Sequence, residues 1–238
     1  MTTSTRPSLG VLELERGLPP GTELVAQRLP GSLINPATFD FPIVLETVEG
    51  AWADVAVAGN PALESACIAA ARRLVQRGAV AISANCGFFI RHQAAVAAAV
   101  NVPVAMSSLL LIPTLLRDLP PAAKIALVTA DSKNLGRDLL GVKDPGDQAR
   151  IVIGGIEGGK YYKQAMQRPL PPPDLAAIES DVAGCIERLR AAHPEIAAIL
   201  FECTAFPMVA ASIRRMTNLP IHDITSFCRL MIASVRLS

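Results

Sequence analysis

Aromatic residues are scarce in this 238-residue chain, at 4% with a single Trp and two Tyr, and charge of either sign barely predominates. With 22 basic and 21 acidic residues giving a net +1, and no basic stripe or charge block, nothing calls for nucleic acid or an anionic membrane surface. A long uninterrupted apolar run is also missing. The uncharged stretch within Gln93 to Leu116 is broken by Asn101, Pro103, Ser107, Ser108 and Pro113, which argues against a membrane span. The first residues, MTTSTRPSLGVLELERG, lack the apolar core of an export signal. Five cysteines without short paired spacing fit neither a disulfide framework nor a zinc site. These absences lead to the expectation of a reducing cytoplasm, no metal and a small-molecule partner. Self-association as a homo-oligomer is left open.

What is abundant is Ala, Val, Leu and Ile, within a hydrophobic share of 51%. That composition suits strands covered on both faces by alanine-rich helices, an α/β arrangement. Apolar runs with turn punctuation place strands near 8–14, 42–46, 79–84, 103–106, 124–129, 150–154, 196–202 and 220–223. Helices are expected near 61–77, 88–99, 174–191, 205–216 and 225–237. Such alternation implies parallel sheets.

The chain also repeats itself. Residues 78–104 and 195–221 share a pattern at an offset of 117, which superposes Cys86 on Cys203, Phe89 on Phe206, Asn101 on Asn218 and Pro103 on Pro220. An offset of 108 lays Ile43, Val44, Glu49 and Gly50 on Ile151, Val152, Glu157 and Gly158. Two related lobes follow, the first spanning 1–108 with 225–238 returning to it, the second 109–224. Each is expected to hold a mainly parallel four-stranded sheet, Rossmann-like and pseudo-symmetric with its mate, with the site between lobes. Two proline-rich stretches, Leu18 to Pro42 and Arg168 to Pro173, read as surface connections, and Pro30 to Pro42 is long enough to form a lid.

Cys86 and Cys203 each fall where a buried strand gives way to a helix, at the sheet edge where α/β folds bind ligands. Free N–H groups and the helix dipole there are expected to favour a thiolate and lower the thiol pKa. The next residues, Gly87 and Thr204, offer peptide N–H groups to a substrate carboxylate or an enolate oxygen. Cys67, Cys185 and Cys228 lie among apolar neighbours in expected helices and read as core. Ser107 and Ser108 serve equally as cleft residues or as a helix cap. His92 and His193 lack a nearby acid pattern and His222 with Asp223 ends a strand, so all three read as structural, while Arg16 in its loop reads as a solvated arginine with pairing to an anionic substrate as the alternative.

The duplicated lobes, the motifs Ser83-Ala84-Asn85-Cys86-Gly87-Phe88 and Glu202-Cys203-Thr204, and the opening strand Gly10-Val11-Leu12-Glu13-Leu14 resemble the aspartate/glutamate racemase superfamily over nearly the whole chain. That superfamily includes hydantoin racemases, maleate isomerases and arylmalonate decarboxylases. The resemblance implies a cofactor-independent racemase or epimerase in which Cys86 and Cys203 flank the acidic carbon of a small carboxylate or cyclic ureide. One cysteine takes a proton and the other gives one, so the pair must hold opposite protonation states. Asn85, Gly87, Phe88, Thr204, Ser107, Ser108 and Thr129 are the expected substrate contacts. Amino-acid racemases of this superfamily typically follow the first cysteine with Asn-Thr and the second with Thr-His, whereas Gly87-Phe88 and Thr204-Ala205 stand here. That departure points away from aspartate or glutamate toward a less polar substrate. An isomerase or decarboxylase of the same superfamily, and a non-catalytic two-lobed binding protein, are the competing readings.

Overall fold

The computed structural model describes residues 7–19 and 22–235. Strand β1, Ser8–Glu13, is buried along its whole length, because Leu9, Val11 and Leu12 are apolar and both its neighbours are parallel strands. Those neighbours are β2, Ile43–Thr47, and β3, Ala79–Ala84, while β4, Val104–Ala105, extends the sheet beyond β3. The resulting order is β2-β1-β3-β4. The second sheet repeats it as β6-β5-β7-β8, from β5, Lys124–Thr129, β6, Ile151–Gly155, β7, Ile196–Phe201, and β8, Ile221–His222.

Register repeats with the order. Leu9 faces Ile43 and Ile125 faces Ile151; Ile82 faces Val104 and Ile199 faces Ile221. A register shift falls between Ser8 and Leu9 in one sheet and between Lys124 and Ile125 in the other. Gly50 and Gly158, at matching places after the second strand of each sheet, both take the left-handed conformation, with φ of 74° and 81°, that glycine tolerates and other residues rarely adopt. The duplication is therefore one of backbone geometry as well as of letters.

Helices cover both sheets. Helix α1 is Ala53–Val57, and α2, Leu63–Gln76, buries Leu63, Cys67, Ala70, Ala71 and Leu74 along one stripe at helical spacing. The turn Gly87–His92 is a 3-10 helix that runs into α3, Gln93–Ala99, and α4 is Ile112–Asp118. In the second half, α5 is Pro145–Ala149, α6 is Lys160–Ala165, and α7, Leu175–Ala192, buries Cys185. The 3-10 turn Phe206–Val209 leads into α8, Ala210–Thr217. The two expected helices after the cysteines thus begin as 3-10 turns, and the four short helices α1, α4, α5 and α6 had no periodic signal long enough to announce them.

Helix α9, Ile224–Val235, follows the last strand of the second sheet yet packs on the first: Ile224, Cys228, Met231 and Ile232 share a cluster with Leu9, Val11 and Ala81. The expected end of this helix at Leu237 lies outside the described residues. Cys67, Cys185 and Cys228 are all buried and unpaired, as core residues. Among the described residues, no helix is long and apolar enough to cross a membrane, and no cluster of three or more His, Cys, Asp or Glu is placed to hold a metal ion.

The Pro30 to Pro42 segment, long enough to form a lid, packs as a wall and brings Ser32, Leu33 and Ile34 to the cleft that holds Cys86 and Cys203. Leu33, Ile34, Phe39 and Phe41 are buried with α9, Phe39 and Phe41 stack at 4.7 Å, and Arg229 donates to the Thr38 carbonyl. Gly31, with φ of 78°, lies so close to the Pro207 backbone that a Cβ would stand 2.5 Å from its carbonyl oxygen. Apolar burial thus ties this stretch to the first sheet and α9, while Gly31 sets it against the backbone of the Pro207 turn.

Candidate active site

Cys86 is the second residue beyond β3, held in extended backbone at the head of its 3-10 turn, and Cys203 is likewise the second residue beyond β7. Each strand is steered in by the same peptide bond: Asn85 N–H donates to the Leu12 carbonyl, and Glu202 N–H to the Val128 carbonyl. The turn's free amides then converge on sulfur, those of Phe88 and Phe89 on Cys86 and those of Ala205 and Phe206 on Cys203. This is the helix-terminus arrangement the sequence led us to expect.

The two turns also touch. Thr204 donates its hydroxyl to the Asn85 carbonyl at 2.5 Å, and Gly87 lies against Glu202, where a Cβ would stand 2.2 Å from Oε1. Only glycine leaves room for that carboxyl group. Both cysteines therefore line one cleft of about 150 Å³, well below the roughly 300–1,000 Å³ of drug-sized pockets.

Its other walls come from several elements. Trp52, Tyr161 and Phe88 supply aromatic surface, while Arg16 and Arg168 bring positive charge. The Arg168 guanidinium lies 4.5 Å over the Trp52 ring and pairs with Asp54. Arg16 reaches Glu13 at 3.4 Å and its Nε is buried without a partner. The second proline-rich stretch contributes Leu170 to Pro173, with Leu170 N–H bonded to the Arg16 carbonyl.

Electrostatics overturn one expectation. Burial pushes both thiols up, Cys203 to about 12 and Cys86 higher still, and the Glu202 carboxylate adds to the effect; the converging amides oppose it but do not prevail. Desolvation of a thiolate outweighs two N–H donors in a site this enclosed. Cys203 is the more exposed of the pair and the less strongly raised.

Of the expected contacts, Asn85, Gly87, Phe88 and Thr204 line the cleft with the cysteines. Asn85 does so with its side chain engaged, accepting from Leu14 N–H at 2.8 Å. Ser107, Ser108 and Thr129 stand elsewhere, each fully buried. Ser107 caps the following turn by accepting from Leu109 N–H, Ser108 donates to the Phe201 carbonyl at 2.6 Å, and Thr129 donates to Glu202 Oε2 at 2.8 Å. Their hydroxyls are spent on the fold, and they drop out of the substrate contacts. None of the three histidines lines the cleft.

Sequence reasoning gave no role to Trp52, Tyr161 or Glu202. For Glu202 a signal existed, because a charged residue closing the apolar run Ile196 to Phe201 falls on Asn85 at the offset of 117. For Trp52 and Tyr161 there was none, since each reaches the cleft from a turn or short helix outside the repeat.

No protein-family model matches the chain. Among proteins of known name, the dimethylsulfoniopropionate lyase of Durusdinium sp. clade D is 30% identical over 224 residues, covering 91% of this chain and 71% of that protein. Dimethylsulfoniopropionate lyase 6 of Emiliania huxleyi (strain CCMP1516) is 30% identical over 242 residues, covering 96% of this chain and 60% of its own length. Among solved structures, the allantoin racemase of Klebsiella pneumoniae superposes with a TM-score of 0.63 at 13% identity, covering 96% of this chain and 87% of that one. A glycine-to-cysteine variant of arylmalonate decarboxylase in a sulfate-associated form gives 0.59 at 17% identity, covering 98% and 95%. These structures share the two-lobed fold of the aspartate/glutamate racemase superfamily. Within that fold, sequence similarity of this extent shows that the chain belongs to the dimethylsulfoniopropionate lyase family of enzymes.

Proposed function

We propose that the chain is a lyase that removes the proton α to the carboxylate of a small β-sulfonio acid, dimethylsulfoniopropionate being the representative substrate, and so releases dimethyl sulfide and acrylate. The observation that carries this reading is the placement of two cysteines from matching turns in one small cleft, in a chain 30% identical to a protein named for that activity. Cys203 is assigned as the base because it is the more exposed thiol. Its thiolate takes the α-proton, the electron pair of the C–H bond becomes the new carbon–carbon double bond, and the C–S bond breaks with its pair leaving on sulfur.

The cleft fits both ends of such a substrate. The N–H groups of Gly87 and Thr204 and the Arg16 guanidinium are assigned to the carboxylate, where they oppose the charge that builds on it as the proton leaves. Trp52, Tyr161 and Phe88 offer aromatic faces to the sulfonium cation. No cofactor is assigned a part. The two-cysteine racemase reading shares the first step and diverges afterwards: without a β-leaving group, the carbanion is reprotonated from the opposite face by Cys86.

The deciding measurement is proton NMR in D2O with headspace detection of dimethyl sulfide, on wild type and Cys203→Ser. Equimolar acrylate and dimethyl sulfide from wild type alone is the expected result. Exchange of α-protons in other carboxylates or hydantoins with no elimination would replace this proposal with the racemase, and inertness toward both would overturn it.

A further inference from the structure

Trp52 is the only tryptophan of the chain, and its ring already carries a cation. The Arg168 guanidinium lies 4.5 Å from the centre of that ring while its Nη2 donates to Asp54, two residues along from Trp52. All three residues line the cleft. Gly17 covers another part of the ring: with φ of 67°, it comes so near that a Cβ would stand 3.0 Å from Cη2 and 3.2 Å from Cζ3. Phe88, a second ring in the cleft wall, is 2% exposed and has little surface to give. A positively charged ligand therefore meets a tryptophan that is occupied.

The occupant belongs to a strap. Between α6 and α7 the chain runs along the cleft and lines it with Arg168, Leu170, Pro171, Pro172 and Pro173. Leu170 N–H donates to the Arg16 carbonyl at 3.1 Å, and Asp174, at the strap's far end, pairs with Lys160 at 2.6 Å. Proline fixes φ along this stretch, so it shifts as a unit more readily than it refolds locally. Its hold on the first lobe is light. The side chains of Arg168 and Asp54 are 43% and 53% exposed, and an ion pair so wet contributes little, as does a cation over a ring at an exposed site.

We infer that Arg168 is an internal competitor for the cation site, a guanidinium that holds the Trp52 ring until the positive end of a substrate displaces it. The inference rests on the lyase reading for the charge of that substrate. A sulfonium and a guanidinium at contact distance on one ring repel each other, so only one of them is held there. Binding of an onium acid then lifts Arg168 from Trp52, and the guanidinium turns toward solvent with Asp54 as its partner. A carboxylic acid without a positive end leaves Arg168 where it is. Arg168 is thus a specificity-determining residue: the ring is gained only by a ligand that brings its own cation.

The test uses two ligands of the same shape, 3-(trimethylammonio)propionate and its uncharged carbon isostere 4,4-dimethylpentanoate, titrated by calorimetry into wild type, Arg168→Ala and Arg168→Gln. Trp52 emission is followed alongside and needs no label, since the chain has one tryptophan. In wild type the onium acid is expected to change the emission and the isostere to leave it nearly unaltered. Both variants are expected to bind the onium acid about fivefold more tightly, because the ring is vacant from the start, with less than about a twofold change for the isostere. Weaker binding of both ligands by the variants would mean that Arg168 reads the carboxylate, and it overturns the proposal. Unchanged onium affinity in both variants overturns it too, as does a wild type that binds neither ligand or whose emission ignores the onium acid. Because these readouts need no turnover, the expected pattern without release of dimethyl sulfide would sink the lyase reading alone. Release of dimethyl sulfide by variants of unchanged onium affinity would sink only the role of Arg168.

Discussion

The two lobes share strand order, register and even the place of a register shift, yet they distribute their acids in opposite ways. In the first, the cysteine is preceded by the neutral Asn85, and the acid is Glu13 at the end of β1, where it meets Arg16. In the second, the acid is Glu202 before the cysteine, and the end of β5 carries the neutral Thr129. Each lobe keeps one carboxyl group and one neutral partner, exchanged in position. One acid therefore faces a cation and the other stands with a bare oxygen against the opposite turn. Duplicated backbones can thus hold two chemically different thiols, because the surrounding charge sets protonation while the backbone sets only position.

The sharpest way to break this comparison is to remove each sulfur in turn. Cys203→Ser is expected to lower elimination by about 10³ to 10⁴, the range for loss of a general base, whereas Cys86→Ser is expected to cost about 10-fold to 10²-fold. Steady-state release of dimethyl sulfide checks both. Equal losses would mean that the lobes act as equals, as a two-base racemase requires.

Next in size is the stability that the charge on Glu202 costs. A folded-state pKa of about 7 against an ordinary 4.5 means the folded protein holds this proton more tightly than the unfolded chain, so stability falls as pH rises between those values. Glu202→Gln removes that loss. The variant is expected to be more stable than wild type by on the order of 3 kcal/mol at pH 8 and nearly equal at pH 4.5. Urea denaturation at the two pH values measures the difference; a variant less stable at pH 8 would show that the carboxylate holds the fold.

Smaller effects sharpen the contact between the turns. Gly87→Ala drives a methyl group into the Glu202 carboxyl and carbonyl oxygens and should cost about 1–3 kcal/mol, the usual range for overpacking. Thr204→Ala deletes only the hydroxyl bond to the Asn85 carbonyl and should cost about 1 kcal/mol. Thermal melts of the pair should rank them in that order.

Most of the eight strands and the long helices were legible because their signal is local: runs such as Ile196 to Phe201 are apolar for as long as a buried parallel strand lasts, and α2 shows its stripe at helical spacing. The short helices α1 and α6 carried no such signal, and they bring Asp54 and Tyr161 to the cleft. Ser107, Ser108 and Thr129 were misassigned because a hydroxyl near a strand end looks the same whether it faces a ligand or a carbonyl. Only the position of the partner, such as Phe201 for Ser108, tells them apart.

The sequence by itself determined the α/β class, the duplication and the pairing of Cys86 with Cys203, because strand burial and repetition are written in the order of residue types. Tertiary structure alone decided which hydroxyls reach the cleft, that Glu202 turns one bare carboxyl oxygen toward Gly87, and that both thiols sit above their ordinary range. Those properties depend on distance to groups far away in the chain and on the exclusion of water, and neither is local to any stretch of sequence.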